Sequence, residues 1–192
     1  MPATALPVVA TDDDGAPVHL FPLPTDEASL RSLVEHLFRD HWADITFGPI
    51  IQGAAWEMRA SAPPRRIGYL DGYLTVDLGT WHFHLCIGPT KGLGARPTPP
   101  ALAVRRRTAR AELFRRIGPD GHPVSWGMRL WNGAGEQQMT VFLPNPFLGP
   151  SDKVLAAPDW SRLAIWDALR ARWLDLTAAD PVDRAGTAFR HA

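Results

Sequence analysis

The chain has 192 residues and no net charge: 20 Lys and Arg stand against 20 Asp and Glu, with one Cys, 19 Pro and 8 Trp. One cysteine excludes an internal disulfide framework and any single-chain zinc site that needs two or more thiolates. Zero net charge argues against a broadly basic nucleic-acid binder, and 45% hydrophobic with 21% charged residues is a globular composition.

Residues 1–24 are rich in Pro and small residues and read as an extended arm, with a short strand at Val18–Phe21 and a turn at Asp14-Gly15. Its acidic run, Asp12 to Asp14, suits neither a secretory leader nor a transit peptide. No run approaches the roughly 20 apolar residues that span a bilayer. A cytoplasmic protein is expected, with no membrane and no nucleic-acid partner. Leu30, Leu33, Val34, Leu37, Phe38 and Trp42 recur at helical spacing, so the pattern predicts a helix over 26–43 capped by Thr25 or Asp26.

From 45 to 87 the period changes to two. Trp56, Met58 and Ala60 alternate with polar residues, and Ile67–Leu70 and Tyr73–Leu78 flank Asp71-Gly72. A two-residue Asp-Gly between such runs is a strong hairpin signal, because a type I′ turn needs positive φ at both positions. Gly79-Thr80 turns the chain into a further strand, Trp81–Ile87. Pro99-Pro100 opens a predicted helix across about 100–117, closed by Gly118-Pro119. Val124–Trp131 and Gln137–Leu143 form a second hairpin around Asn132-Gly133-Ala134-Gly135, and a final helix covers about 159–174, capped by Asp159 or Ser161. The domain expected is a single one over 25–176, with a polar tail at 177–192. Its class is α+β: an antiparallel sheet of five to six strands with three main helices, in a two-layer sandwich.

Strand side chains alternate between faces. Trp81, Phe83, Leu85 and Ile87 form one face of their strand; His82, His84 and Cys86 form the other. Two imidazoles about 6.5–7 Å apart at the backbone can share one ion, and a thiolate suits zinc, copper or iron. The set His82, His84 and Cys86 is therefore a candidate transition-metal site. Asp77 or Glu57 would complete or orient it. If the predicted strands are adjacent, the same polar face also gathers Arg129, Gln138, Tyr73, Trp131 and Phe142. Arg129 would orient an anionic substrate, and Asp77 or Glu136 would move protons. Two other readings stay open. The histidines can hydrogen-bond in a polar layer while Cys86 packs as a small hydrophobe, or Cys86 can be a nucleophile with His84 or His82 as its base.

The zero net charge conceals segregation. Residues 1–45 hold eight acids and two bases, and residues 91–116 hold eight bases and one acid. Arg105, Arg106, Arg107, Arg110, Arg115 and Arg116 fall on the predicted second helix. They either pair with the acidic N-terminal helix or bind an anionic ligand. Six tryptophans, at 42, 56, 81, 126, 166 and 173, fall on predicted core faces. His191 is a ligand only if the tail folds back.

Three stretches, WHFHLCIG from Trp81, RTARAELFRR from Arg107 and WNGAGEQQ from Trp131, resemble a family of small bacterial proteins of unknown function, over about residues 55–175. The resemblance implies no activity. Two functions of different class follow from the residues themselves. One is a metal-dependent enzyme on a small anionic substrate. The other is a non-catalytic module that binds a ligand, carries metal, or forms a homodimer through the aromatic and polar sheet face.

Overall fold

The computed structural model describes residues 7–189. The elements run β1 (Val8–Thr11), β2 (Pro17–Pro22), α1 (Glu27–Asp40), β3 (Thr46–Gly48), β4 (Ile50–Ile51), β5 (Ala54–Ala55), β6 (Arg66–Leu70), β7 (Tyr73–Asp77) and β8 (His82–Cys86). They continue with β9 (Gly92–Leu93), β10 (Arg96–Pro97), α2 (Pro100–Arg106), β11 (Thr108–Ile117), β12 (Pro123–Asn132), β13 (Gln137–Phe142) and α3 (Ala164–Leu174). A six-stranded sheet has the order β1-β2-β11-β12-β13-β3, and β6, β7 and β8 form a separate three-stranded sheet. The class is α+β, as the alternation of helical and strand periods predicts. By their contacts the residues fall into two compact units. Of the described residues, unit 1 comprises 7–23, 112–128 and 142–189, and unit 2 comprises 24–111 and 129–141.

In unit 2, Asp26 caps α1 by accepting from the Ser29 amide at 2.9 Å, and Leu30, Leu33, Val34, Leu37 and Phe38 form its buried face. Phe38 meets Phe47 and Phe83 with ring centroids 4.7 and 5.1 Å apart. Leu74, Val76 and Leu85 complete that core from the three-stranded sheet. The β6–β7 hairpin turns on Asp71 and Gly72, at φ 47° and 81°, between the paired residues Leu70 and Tyr73. The type I′ geometry that Asp-Gly favours is thus the one adopted.

In unit 1, β2 pairs antiparallel with β11, placing His19 opposite Arg115. The core holds Val18, Phe21, Leu113, Phe114, Trp126, Phe147, Leu163, Trp166 and Leu169. Phe21 meets Trp166 edge to face at 5.6 Å. A 3₁₀ turn at Trp160–Leu163, capped by Asp159, leads into α3. A second 3₁₀ turn, Pro181–Arg184, lies in what reads from composition as a plain polar tail.

The long second helix is a correction. The helix stops at Arg106, and Arg107 is already extended at φ −67°, ψ 143°. Residues 108–117 are strand β11. Both faces of this strand are largely covered, so its sequence has no two-residue alternation. Buried Glu112 and Arg115 also interrupt the apolar run, leaving Ala109, Leu113 and Ile117 at a spacing that imitates a helix. Trp56 is the second correction: expected in the core, it is 47% exposed beside the two-residue strand β5. Of the six tryptophans assigned to core faces, Trp126 and Trp166 are fully buried. His191 lies outside the described residues.

Candidate functional site

The outer face of the three-stranded sheet is built from cross-strand rows. Asp77 stands opposite Arg66 on one side and His82 on the other; Thr75 stands between Gly68 and His84; Tyr73 stands between Leu70 and Cys86. The pleat therefore delivers the His-x-His-x-Cys face that the sequence predicts. It does not deliver a common site. His82 and His84 are exposed, with ring centroids 4.9 Å apart at 74°. The Nδ1 of His84 shares a hydrogen bond with the Thr75 hydroxyl at 2.7 Å. Cys86 is 4% exposed, and its thiol points to the Gly88 carbonyl at 3.7 Å. Burial pushes the Cys86 thiol up, against the Tyr73 hydrogen bond and the charges of Arg106 and Arg107, which pull it down. A thiol so held is a poor ligand and a poor nucleophile, because both roles need the thiolate. Among the described residues, no three His, Cys, Asp or Glu side chains are grouped to hold a metal ion. Of the expected ligands, His82 and His84 are thus an exposed imidazole pair, while Cys86 is a buried thiol.

The candidate acid–base residues have local partners. Asp77 accepts the Gly79 amide at 2.8 Å in the turn after β7. Glu136 lies exposed in the β12–β13 hairpin and accepts from Asn132 Nδ2 at 2.8 Å. Arg129 is half-buried on β12. Asp77 belongs to the three-stranded sheet and Arg129 to the six-stranded one, so the expected single polar face does not form. The aromatic residues of that face are divided too. Tyr73 lies on β7, Phe142 on β13, and Trp131 lies on β12 beneath the Arg110 guanidinium, 4.2 Å from the ring centroid.

What the structure does assemble surrounds Cys86. Tyr73, opposite it in register, hydrogen-bonds the thiol, and Arg106 hydrogen-bonds Tyr73. Burial first, then the neighbouring Cys86, raises the Tyr73 phenol above its ordinary value. The site is tied from below by Thr108, whose hydroxyl meets the Cys86 carbonyl at 3.0 Å and Gln138 Oε1 at 2.8 Å. Gln138 in turn donates to the Arg106 carbonyl at 3.0 Å. These bonds fix the end of α2 against the end of β8. Arg106 is exposed and Arg107 half-buried. One Arg107 nitrogen reaches the Thr25 carbonyl at 3.4 Å, while its buried Nε has no hydrogen-bond partner among the described residues. Asp71 accepts the amides of Lys91 and Gly92 at 2.7 and 2.9 Å, so its carboxylate is already engaged.

Sequence reading leaves an anion site open among six arginines, Arg106 and Arg107 with them, but places them all on one long helix. Their convergence on Cys86 and Tyr73 arises because α2 ends at 106. The extended Arg107 of the stretch Arg107-Thr108 was the available signal, since a β-branched residue after a short helix favours strand. A second polar cluster, around Asp183 in unit 1, escapes sequence reading altogether. The only hint is that buried indoles need acceptors.

Among solved structures, the crystal structure of ChuX is similar at 12% identity and a TM-score of 0.45, over 80% of this chain and 75% of that one. No curated protein matches the chain. Among the described residues, no helix is long and apolar enough to cross a membrane. Residues 7–175 match a family of unknown function, DUF7676, and the chain belongs to that family.

Proposed function

We propose that the end of the three-stranded sheet, at Arg106, Arg107 and Tyr73, is a non-catalytic binding site for a small anionic molecule in the cytoplasm. The observation that carries this reading is the partly buried Arg107, whose Nε donor is unspent, next to the exposed Arg106 fork. A guanidinium binds carboxylate or phosphate in a planar, two-pronged geometry. A buried donor without a partner costs free energy until an acceptor arrives, so binding recovers what folding leaves unspent. Tyr73 orients Arg106, and the Thr108–Gln138 bonds hold the α2 terminus that carries both arginines. Nothing in this reading requires Asp77 or Glu136 to move a proton.

Isothermal titration with citrate and with inorganic phosphate tests it, with sodium chloride as the ionic-strength control. The expected result is saturable binding of one of the two, weakened at least about tenfold by Arg106→Ala, the equivalent of one lost charged hydrogen bond. Binding that is equally strong in the variant would refute the site.

A second reading rests on the exposed imidazole pair. His82 and His84, at 4.9 Å between ring centroids, can chelate a transition metal weakly in a carrier role, without Cys86. Zinc titration of untagged protein should then show a single reversible site that His84→Ala abolishes and Cys86→Ser leaves intact. Loss on Cys86→Ser would contradict it.

A further inference from the structure

Unit 1 holds a buried carboxylate in a setting that resembles a bound ligand more than a surface ion pair. Asp183 is 1% exposed. Its Oδ1 accepts from Trp126 Nε1 at 2.9 Å and from Arg115 Nη1 at 3.0 Å. Its Oδ2 accepts from Trp166 Nε1 at 2.8 Å, and Arg170 Nη1 lies 3.8 Å away. Asp180 adds a second carboxylate, 2.7 Å from Arg115 and 3.9 Å from Arg170. Arg115 and Arg170 are themselves 2% and 5% exposed.

The donors and the acceptors come from different parts of the chain. Arg115 lies on β11, Trp126 on β12, and Trp166 and Arg170 on α3. All four fall within the family match, which ends at residue 175. Asp180 and Asp183 fall outside it, on the 3₁₀ turn and its cap. An indole N–H can only donate and a guanidinium does not lose its proton, so this set cannot satisfy itself. It requires an anion. The Arg170 Nε, buried and without a hydrogen-bond partner among the described residues, leaves one donor still unspent.

We propose that Arg115, Trp126, Trp166 and Arg170 form a carboxylate-binding receptor, and that the segment carrying Asp183 is its tethered occupant. The receptor takes a free small carboxylate when the tether's own carboxylate is removed. The strap formed by residues 178–184 then acts as a built-in competitor for that site. Beyond its two carboxylates the strap is held by the Asp180 cap on the Val182 amide at 2.9 Å, by Arg170 on the Ala178 carbonyl at 3.4 Å, and by the ion pair of Arg184 with Asp167 on α3.

Chemical rescue in the full chain tests this. Asp183→Ala should lower the melting temperature by on the order of 10 °C, the effect of uncovering a buried charge in a chain of this size. Sodium formate should restore at least half of that loss with a saturable midpoint. It should also shift the chain's tryptophan emission toward the wild-type spectrum. Sodium chloride at equal ionic strength should do neither. Rescue by formate no better than by chloride would overturn the proposal. If Asp183→Ala does not fold in buffer, it is refolded with and without formate. Recovery only with formate supports the receptor, and recovery with neither overturns it.

Discussion

The Asp183 cluster and the Arg106 cluster use the same chemistry, guanidinium and aromatic donors, under different burial. Around Asp183 the two arginines are nearly sealed from solvent and two carboxylates answer them. Around Cys86 the corresponding acceptors are a phenol, a thiol and a distant carbonyl, and one arginine is open to water. Burying a guanidinium without an anion is costly, so unit 1 supplies its own. An exposed guanidinium stays hydrated and need not be paired. The first arrangement is closed by the protein; the second leaves a guanidinium open to water, which is what the proposed anion site would use.

The largest effect expected from breaking this contrast is on stability. Arg115→Met removes the guanidinium that bridges Asp180 and Asp183 and leaves both carboxylates short of their partner. A loss of about 3–5 kcal/mol is expected by urea denaturation, the range for breaking a buried pair. Arg106→Ala should change stability by no more than about 0.5–1 kcal/mol, as for an exposed charge. Equal losses in the two variants would erase the distinction.

A smaller effect tests how tightly unit 2 is packed beside its site. A Cβ on Gly88 would lie within 3 Å of the Tyr69 hydroxyl and the Glu27 carboxylate. Burial, then the hydrogen bond to Glu27, pushes the Tyr69 phenol up to about 12. Gly88→Ala should cost about 1–3 kcal/mol through overpacking. It should also bring the Tyr69 phenol down toward 10 in an ultraviolet pH titration. An unchanged phenol would show that Gly88 is not what holds the pair in place.

The smallest effect is a pH dependence of unit 1. His19 Nδ1 accepts from Arg115 Nε at 3.1 Å. Burial, then the Arg115 charge, lowers its pKa below the ordinary 6.5, against the pull of Asp180 and Asp183. The unfolded chain therefore takes up the proton first. Stability from this contact is full above about 6.5 and declines as pH falls from there through the folded value. His19→Gln should flatten that decline in melting temperature. A decline that persists unchanged would assign it to another group.

Much of this architecture can be read from sequence because it is written in local periods. The Asp71-Gly72 hairpin, the α1 stripe from Leu30 to Phe38 and the Asp26 and Asp159 caps each depend on a few neighbouring residues. Strand β11 fails for the opposite reason. Its middle, Ala111 to Arg115, is buried on both faces, and such a stretch has no alternation to detect. The His-x-His-x-Cys face was legible for the same reason as the hairpin, but convergence was not. Whether Cys86 stands free or is buried depends on Tyr73 across the ladder and on where α2 stops. The Asp183 cluster gathers residues from β2, β11, β12, α3 and the tail, and no local pattern announces such a set.

The proposed anion site stands or falls on Arg107 as its unspent donor. It is most directly tested by following the Arg107 Nε–Hε resonance by NMR while phosphate or citrate is added at constant ionic strength. If Arg107 takes the anion, its Hε shows a saturable downfield proton shift, with the same midpoint as titration calorimetry, that is lost in Arg106→Ala. A resonance that does not move while the anion binds elsewhere, or that moves equally with chloride, would contradict it.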